Sequence, residues 1–177
     1  MTRILGLDPA GKFGWVLLED NTYLDGGAKP FKHPTKKQIE TGKKLRSQKW
    51  IDVRDWMSEI VSETEPDLIF FEWIENHVST LAGHSYGYLK YTLQTVCDLK
   101  NKPLFPVRVQ HWKISLTGKG NASKEDVSMA ANGLYPDITF ESDDHSDALG
   151  IALHGLKMFQ TDQLDTLWSN TGGKKKK

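Results

Sequence analysis

Apolar residues in the first third of the chain fall into short runs, and further on they settle into helical spacing. Ile4 to Leu7 is an apolar run ending on Asp8-Pro9, and Trp15 to Leu18 is another, beyond Ala10-Gly11-Lys12-Phe13-Gly14. Two such runs across a glycine-containing turn predict a β-hairpin. Tyr23 to Ala28 offers a third strand, weakened by Gly26 and Gly27. From Thr35 to about Thr64, Ile39, Leu45, Trp50, Val53, Trp56, Met57, Ile60 and Val61 recur at spacings of three and four, which predicts a long helix broken near Gly42. Glu65-Pro66-Asp67 stops it, and Leu68 to Phe71 reads as a buried strand ending on Glu72.

Helical spacing returns over Gly83 to Asp98, and Pro103 to Val107 has the look of another short strand. Ser123, with Asp126 three residues on, caps a predicted helix that runs to about Leu134. Ser142 precedes a last helix, Asp143 to Phe159, apolar at Ala148, Ile151, Ala152, Leu156 and Phe159. The order hairpin, helix, strand, helix, strand, helix, helix describes an α/β fold, a mixed sheet with helices on its faces. There is no repeat and no interdomain linker. The domain is read as residues 1–160, followed by a tail over 161–177 that is flexible and basic at its end, Gly172-Gly173-Lys174-Lys175-Lys176-Lys177.

The length of 177 residues suits one domain with a proper core, and 38% hydrophobic residues excludes a wholly disordered chain. No apolar run approaches the roughly 18 residues that cross a bilayer, and the N-terminal apolar run is too short for a signal sequence, so a soluble, cytoplasmic protein is expected. Cys97 is the single cysteine, which excludes a disulfide framework and a cysteine-rich zinc site.

A formal net charge of zero conceals segregation. Lys29, Lys32, Lys36, Lys37, Lys43, Lys44, Arg46 and Lys49 face only Glu40, a local net of +7. A looser basic set follows in Lys100, Lys102, Arg108, Lys113, Lys119 and Lys124. Acidic residues gather over Asp52 to Glu75 and Glu125 to Asp147. Such a split suits a protein that holds a polyanion on one surface and cations on another, although a solvated lysine-rich loop and helix would read the same way.

Four acids occupy positions that a fold alone does not need. Asp8 and Glu72 each follow an apolar strand, the usual place for a site in an α/β sheet. Asp144 and Asp147, three apart at a helix start, share a face. Turn, strand-end and helix-dipole roles are the alternatives for each taken singly. Close-packed carboxylates repel one another unless hard cations neutralise them, so the set implies two Mg²⁺ ions, with Mn²⁺ able to substitute, and hydrolysis of a phosphodiester. His145 lies between the two helix acids and is a candidate ligand or base if the first turn frays, as is Asp143 for the metal site. His33, His77, His84, His111 and His154 show no ligand spacing and read as surface or packing residues.

Gly6-Leu7-Asp8-Pro9-Ala10 with Gly14-Trp15, then Pro66 to Glu72, then Gly118-Lys119-Gly120-Asn121-Ala122-Ser123-Lys124, then Asp144-His145-Ser146-Asp147-Ala148-Leu149 together resemble the RuvC family of Holliday junction resolvases, of the divergent kind found in phages. The resemblance spans roughly residues 3–159. It implies an RNase H-like fold with a five-stranded mixed sheet flanked by helices, and a homodimer whose two sites nick opposed strands of a four-way DNA junction. By motif, Asp8, Glu72, Asp144 and Asp147 are the implied catalytic, metal-binding acids. Lys113 matches a lysine that contacts DNA, and Lys124 one that steadies the scissile phosphate.

Two features depart from that pattern. Glu75 stands where bacterial members place a base-stacking aromatic, and the segment holding Lys36, Lys37, Lys43, Lys44 and Arg46 is more basic than the pattern requires, an extra DNA-holding surface to which Lys119 adds. Phe31 and Trp50 beside it can stack on bases or pack in the core. The expected activity is metal-dependent cleavage of Holliday junctions or other branched DNA by paired nicks that leave 5′-phosphate and 3′-hydroxyl ends, in the host cytoplasm if the chain is phage-encoded. The alternatives are a less selective RNase H-like nuclease acting on flaps, forks or RNA–DNA hybrids, and a non-catalytic junction-binding protein. An actin-like ATPase or sugar kinase half-domain would need a second domain that 177 residues cannot supply.

Overall fold

In a computed structural model, which describes residues 1–9 and 12–169, the three N-terminal runs form an antiparallel meander: β1 (Arg3–Pro9), β2 (Lys12–Glu19) and β3 (Thr22–Pro30). β4 (Leu68–Trp73) adds parallel to β1, and β5 (Leu104–Arg108) parallel to β4, so the five-stranded sheet runs β3-β2-β1-β4-β5. The glycine-weakened third strand is a true strand at the sheet edge. Glu72 lies inside β4 rather than beyond it, because the pairing with β5 continues through Trp73.

Period-two alternation sends the central strands to two cores. Ile4, Phe70, Val16 and Val107 pack beneath α4 (Val109–Thr117), α5 (Lys124–Leu134) and α6 (Asp143–Gln160). Leu5, Leu7, Ile69 and Phe71 pack on the other face against α2 (Gln48–Thr64) and α3 (Thr80–Leu99). Burial on both faces explains why β1 and β4 read as unbroken apolar runs.

The long helix predicted over 35–64 is two. α1 (Lys36–Glu40) is a single capped turn with no buried residue, and α2 begins only at Gln48, the chain passing through Gly42 at φ 69°. α4 has no counterpart in the sequence pattern: it buries only Trp112 and Leu116, too few apolar positions to set a period. A short α7 (Leu164–Ser169) follows α6 within the stretch read as tail, and its Leu167 is buried in the core. Gly172 to Lys177 lies outside the described residues.

α6 lies unusually close to the sheet. A Cβ on Gly6 would strike Ala148 and Ala152, and one on Gly14 would run into the backbone of Asp144. Two glycines on the strands and small residues on the helix therefore set the distance between layers. The first turn of α6 is held by Ser142, whose hydroxyl accepts from the His145 N–H.

Candidate active site

The acids come together through strand register and this close helix. β1 and β4 pair Leu7 with Phe71, which carries Asp8 and Glu72 to the same level on adjacent strands about 4.8 Å apart. Alternation puts Asp8 on the face of Ile4 and Glu72 on the face of Phe70, both toward α6. Across the hairpin Asp8 pairs with Gly14, the residue against which the Asp144 backbone rests. Asp147 follows one turn along α6. The first acid of the sequence thus lies with the other three.

Electrostatics show how tightly the set is packed. Burial first, then the charges of Glu72, Asp147 and Asp144, drive Asp8 well above the usual carboxylate range. Burial and the neighbouring Glu72 push Asp147 up to about 7. Glu72 and Asp144 are also raised, in each case chiefly by burial. Opposing this, the Trp112 indole N–H donates to Glu72 Oε1 at 3.0 Å, Lys113 lies near both Glu72 and Asp147, and the Lys12 backbone donates to Asp144. Asp8 is only 2% exposed, and its Oδ1 has no hydrogen-bond partner among the described residues.

A buried carboxylate oxygen without a donor, facing three further carboxylates, is a fit for a hard divalent cation bound through oxygen. Among the described residues, no three His, Cys, Asp or Glu side chains are already drawn together as a metal site. The four carboxylates are electrostatic neighbours.

The two lysines singled out by motif flank this cluster. Lys113, on α4, donates from Nζ to the Ala122 carbonyl at 2.8 Å and so ties the 118–123 loop to the helix. Lys124, first residue of α5, reaches Asp143 Oδ2 at 2.7 Å. That bond and the Asp143 charge raise the Lys124 ammonium further, and its charge in turn lowers Asp8 and Asp144. Asp143 is thereby engaged with a lysine, on the exposed side of the helix start.

His145 goes elsewhere. The helix begins without fraying, and the buried ring points toward β3, where Nδ1 accepts from the Glu141 N–H at 3.2 Å and Nε2 lies 2.9 Å from the Tyr23 hydroxyl. A backbone donor at Nδ1 leaves the neutral ring's proton on Nε2, so both nitrogens are used in packing β3 to α6. Burial also lowers its pKa. Lys36 and Lys37 on α1, Lys43, Lys44 and Arg46 in the 41–47 connection, and Lys119 in the 118–123 loop are all exposed. Glu75 forms an ion pair with Arg108 at 2.6 Å.

Two residues at the site had no sequence signal. Trp112 lies 40 residues from the carboxylate it holds. The Tyr86 hydroxyl donates to the Glu72 carbonyl at 2.7 Å and accepts from the Ile74 N–H at 3.1 Å, fixing the chain as it leaves β4.

No family model matches the chain. Proteins named crossover junction endodeoxyribonuclease RuvC are similar along nearly its whole length: that of Bartonella tribocorum is 26% identical over 163 residues, covering 91% of this chain and 92% of the relative. That of Ehrlichia ruminantium is 27% identical over 172 residues, covering 89% and 99%. The fold matches Thermus thermophilus RuvC, solved in complex with a Holliday junction substrate, with a TM-score of 0.77 at 16% identity, over 92% of this chain and 98% of that one. The yeast mitochondrial Holliday junction resolvase Ydc2 gives 0.60 at 15% identity, over 96% and 82%. With its acids on β1, β4 and α6 of a five-stranded mixed sheet, the chain is similar in sequence, at modest identity, and in fold to the RuvC Holliday junction resolvases.

Proposed function

We propose that this chain is a metal-dependent crossover junction endodeoxyribonuclease that resolves branched DNA, four-way junctions above all, by paired nicks leaving 5′-phosphate and 3′-hydroxyl ends. The observation that carries the reading is the meeting of Asp8, Glu72, Asp144 and Asp147 at one end of the central strands, with Lys113 and Lys124 beside them. Two Mg²⁺ ions, or Mn²⁺ in their place, held by these four carboxylates would supply activation of a water and neutralisation of charge at the leaving oxygen.

The protein's own groups do the positioning. Asp8 and Glu72 are fixed by strand register, and Trp112 holds one oxygen of Glu72. Lys124 is exposed, and its ion pair with Asp143 has little strength in water, so the ammonium can exchange that partner for a phosphate. There, with Lys113, it offsets the charge that builds on the phosphodiester. The exposed lysines of the 36–46 segment and Lys119 hold flanking phosphates and give binding its salt dependence. His145 serves the fold.

Two equivalent strands of a four-way junction call for two sites related by a two-fold axis, hence a homodimer. The outer face of α3, with Leu81, Tyr88 and Tyr91 at 75%, 50% and 73% exposure, is the surface for it. No helix among the described residues is long and apolar enough to cross a membrane, and we place the protein with its DNA in the cytoplasm.

The test compares a four-way junction, a flap, linear duplex and an RNA–DNA hybrid, each with Mg²⁺, Mn²⁺ and EDTA. Symmetric nicks in the junction that EDTA abolishes are expected. Cleavage undiminished in EDTA would defeat the reading, and preference for flaps or hybrid would assign the same chemistry to a less selective nuclease.

A further inference from the structure

A cavity of about 420 Å³ opens at the same end of the sheet as the acids, under its other face. Pro9, next to Asp8, lies on its rim, and Tyr86, whose hydroxyl holds the Glu72 carbonyl, forms part of its wall. The other rings of the lining are Phe31 just past β3, Trp50 from α2, His77 from the loop after β4 and the buried Phe13, with aliphatic side chains such as Val53, Ile74 and Leu89 between them. Asn76 and Ser85 add neutral hydrogen-bonding groups. The volume falls within the roughly 300 to 1,000 Å³ of small-molecule sites.

Charge identifies the occupant. Among the described residues no carboxylate lines the cavity, although four stand nearby, and Lys49, with Nζ 5.0 Å from the centre of the Trp50 ring, is the cation of its lining. The +7 segment from Lys29 to Lys49 leads the chain from β3 into this rim. Aromatic walls, neutral polar groups and a cationic approach suit a flat heteroaromatic ring attached to a phosphate backbone. Extrusion costs least for a base outside a continuous paired stack, and a branch point interrupts that stack. Glu75 is no part of this lining and is engaged with Arg108, so base contact has a different seat in this chain from the one the family pattern would give it.

We propose that this cavity receives one nucleobase unstacked from the branch point while a neighbouring phosphodiester lies at the acids. The inference rests on the nuclease reading above and adds to it a site that selects branched over linear DNA.

The test measures binding of a labelled four-way junction by an Asp147→Asn protein, with single abasic positions walked through the branch point. Trp50→Ala, which removes a wall, and Ala82→Trp, which fills the cavity from α3, are each expected to weaken junction binding roughly 5- to 150-fold, the range of one base-on-aromatic stack, while linear duplex binding stays unchanged. One abasic position should give a similar loss that does not add to the Trp50→Ala loss. Junction binding as tight in the Ala82→Trp protein as in its parent, with an unchanged melting temperature, overturns the proposal. So do abasic losses that add to the Trp50→Ala loss at every position. A parent protein with no preference for the junction over duplex fails the branched-DNA part of the proposed function itself, and the cavity assignment falls with it.

Discussion

At the scale of single residues, the acids differ in what supports them, and their substitutions should differ accordingly. Asp8→Asn and Asp147→Asn are expected to abolish nicking and to leave junction affinity within a few-fold, since the proposed reading draws affinity from the lysines. In EDTA at pH 8, Asp147→Asn should also melt higher than the parent, because a group with a pKa of about 7 is held ionised among like charges. Trp112→Phe keeps the ring's bulk and loses the donor to Glu72, a bond worth about 1.5–3 kcal/mol to an ionised partner. It should slow cleavage roughly 10- to 100-fold and raise the Mg²⁺ concentration needed for half-maximal rate. Lys124→Ala should reduce cleavage more than binding; equal losses in titrations of both would place it in the docking surface. The four acids and the two flanking lysines were readable because each interrupts an apolar run or sits in a short motif. Trp112 looks like any core tryptophan until the chain is folded, and His145 carries two acidic neighbours whose company its ring leaves.

Among the elements, the approach of α6 to β1 and β2 decides whether the cluster exists. Gly14→Ala places a methyl group against the Asp144 carbonyl. Overpacking of this kind costs about 1–3 kcal/mol, and an acid displaced by about 1 Å can cost 10²-fold in rate. A lower melting temperature together with cleavage lost far beyond binding is expected, whereas an active, equally stable Gly14→Ala protein would show that the helix has room to spare. The strands and the long helices followed from periodicity because each buries a continuous face. The break between α1 and α2 was legible only as a glycine, since its extent is set by a capping box at Thr35 and by residues that bury nothing. α4 escaped notice for a related reason: with two buried residues, it is held by tertiary contact rather than by its own amphipathic stripe.

For the whole molecule, two properties can be measured without any substrate. Tyr91→Glu, a charge on the exposed face of α3, should convert a dimer to a monomer in sedimentation at micromolar concentration. Stability should also fall in mild acid through His154. Its ring is buried, Nδ1 pairs with the Ser115 hydroxyl at 2.8 Å, and Nε2 has no hydrogen-bond partner among the described residues. Burial, with His111 and Lys157 nearby, lowers its pKa from 6.5 to about 4. The unfolded chain therefore binds the extra proton first as pH falls below 6.5, and up to about 3 kcal/mol of stability is lost by pH 4. His154→Gln should flatten that part of the melting profile measured against pH.

The division of the acids between sheet and last long helix reaches back to how the protein is made. A ribosome delivers Asp8 and Glu72 early, and β1 and β4 can pair while Asp144 and Asp147 have yet to be translated. On the proposed nuclease reading, any chain that stops short of residue 144 would carry only two of the four acids, so a prematurely ended product would meet DNA without breaking it.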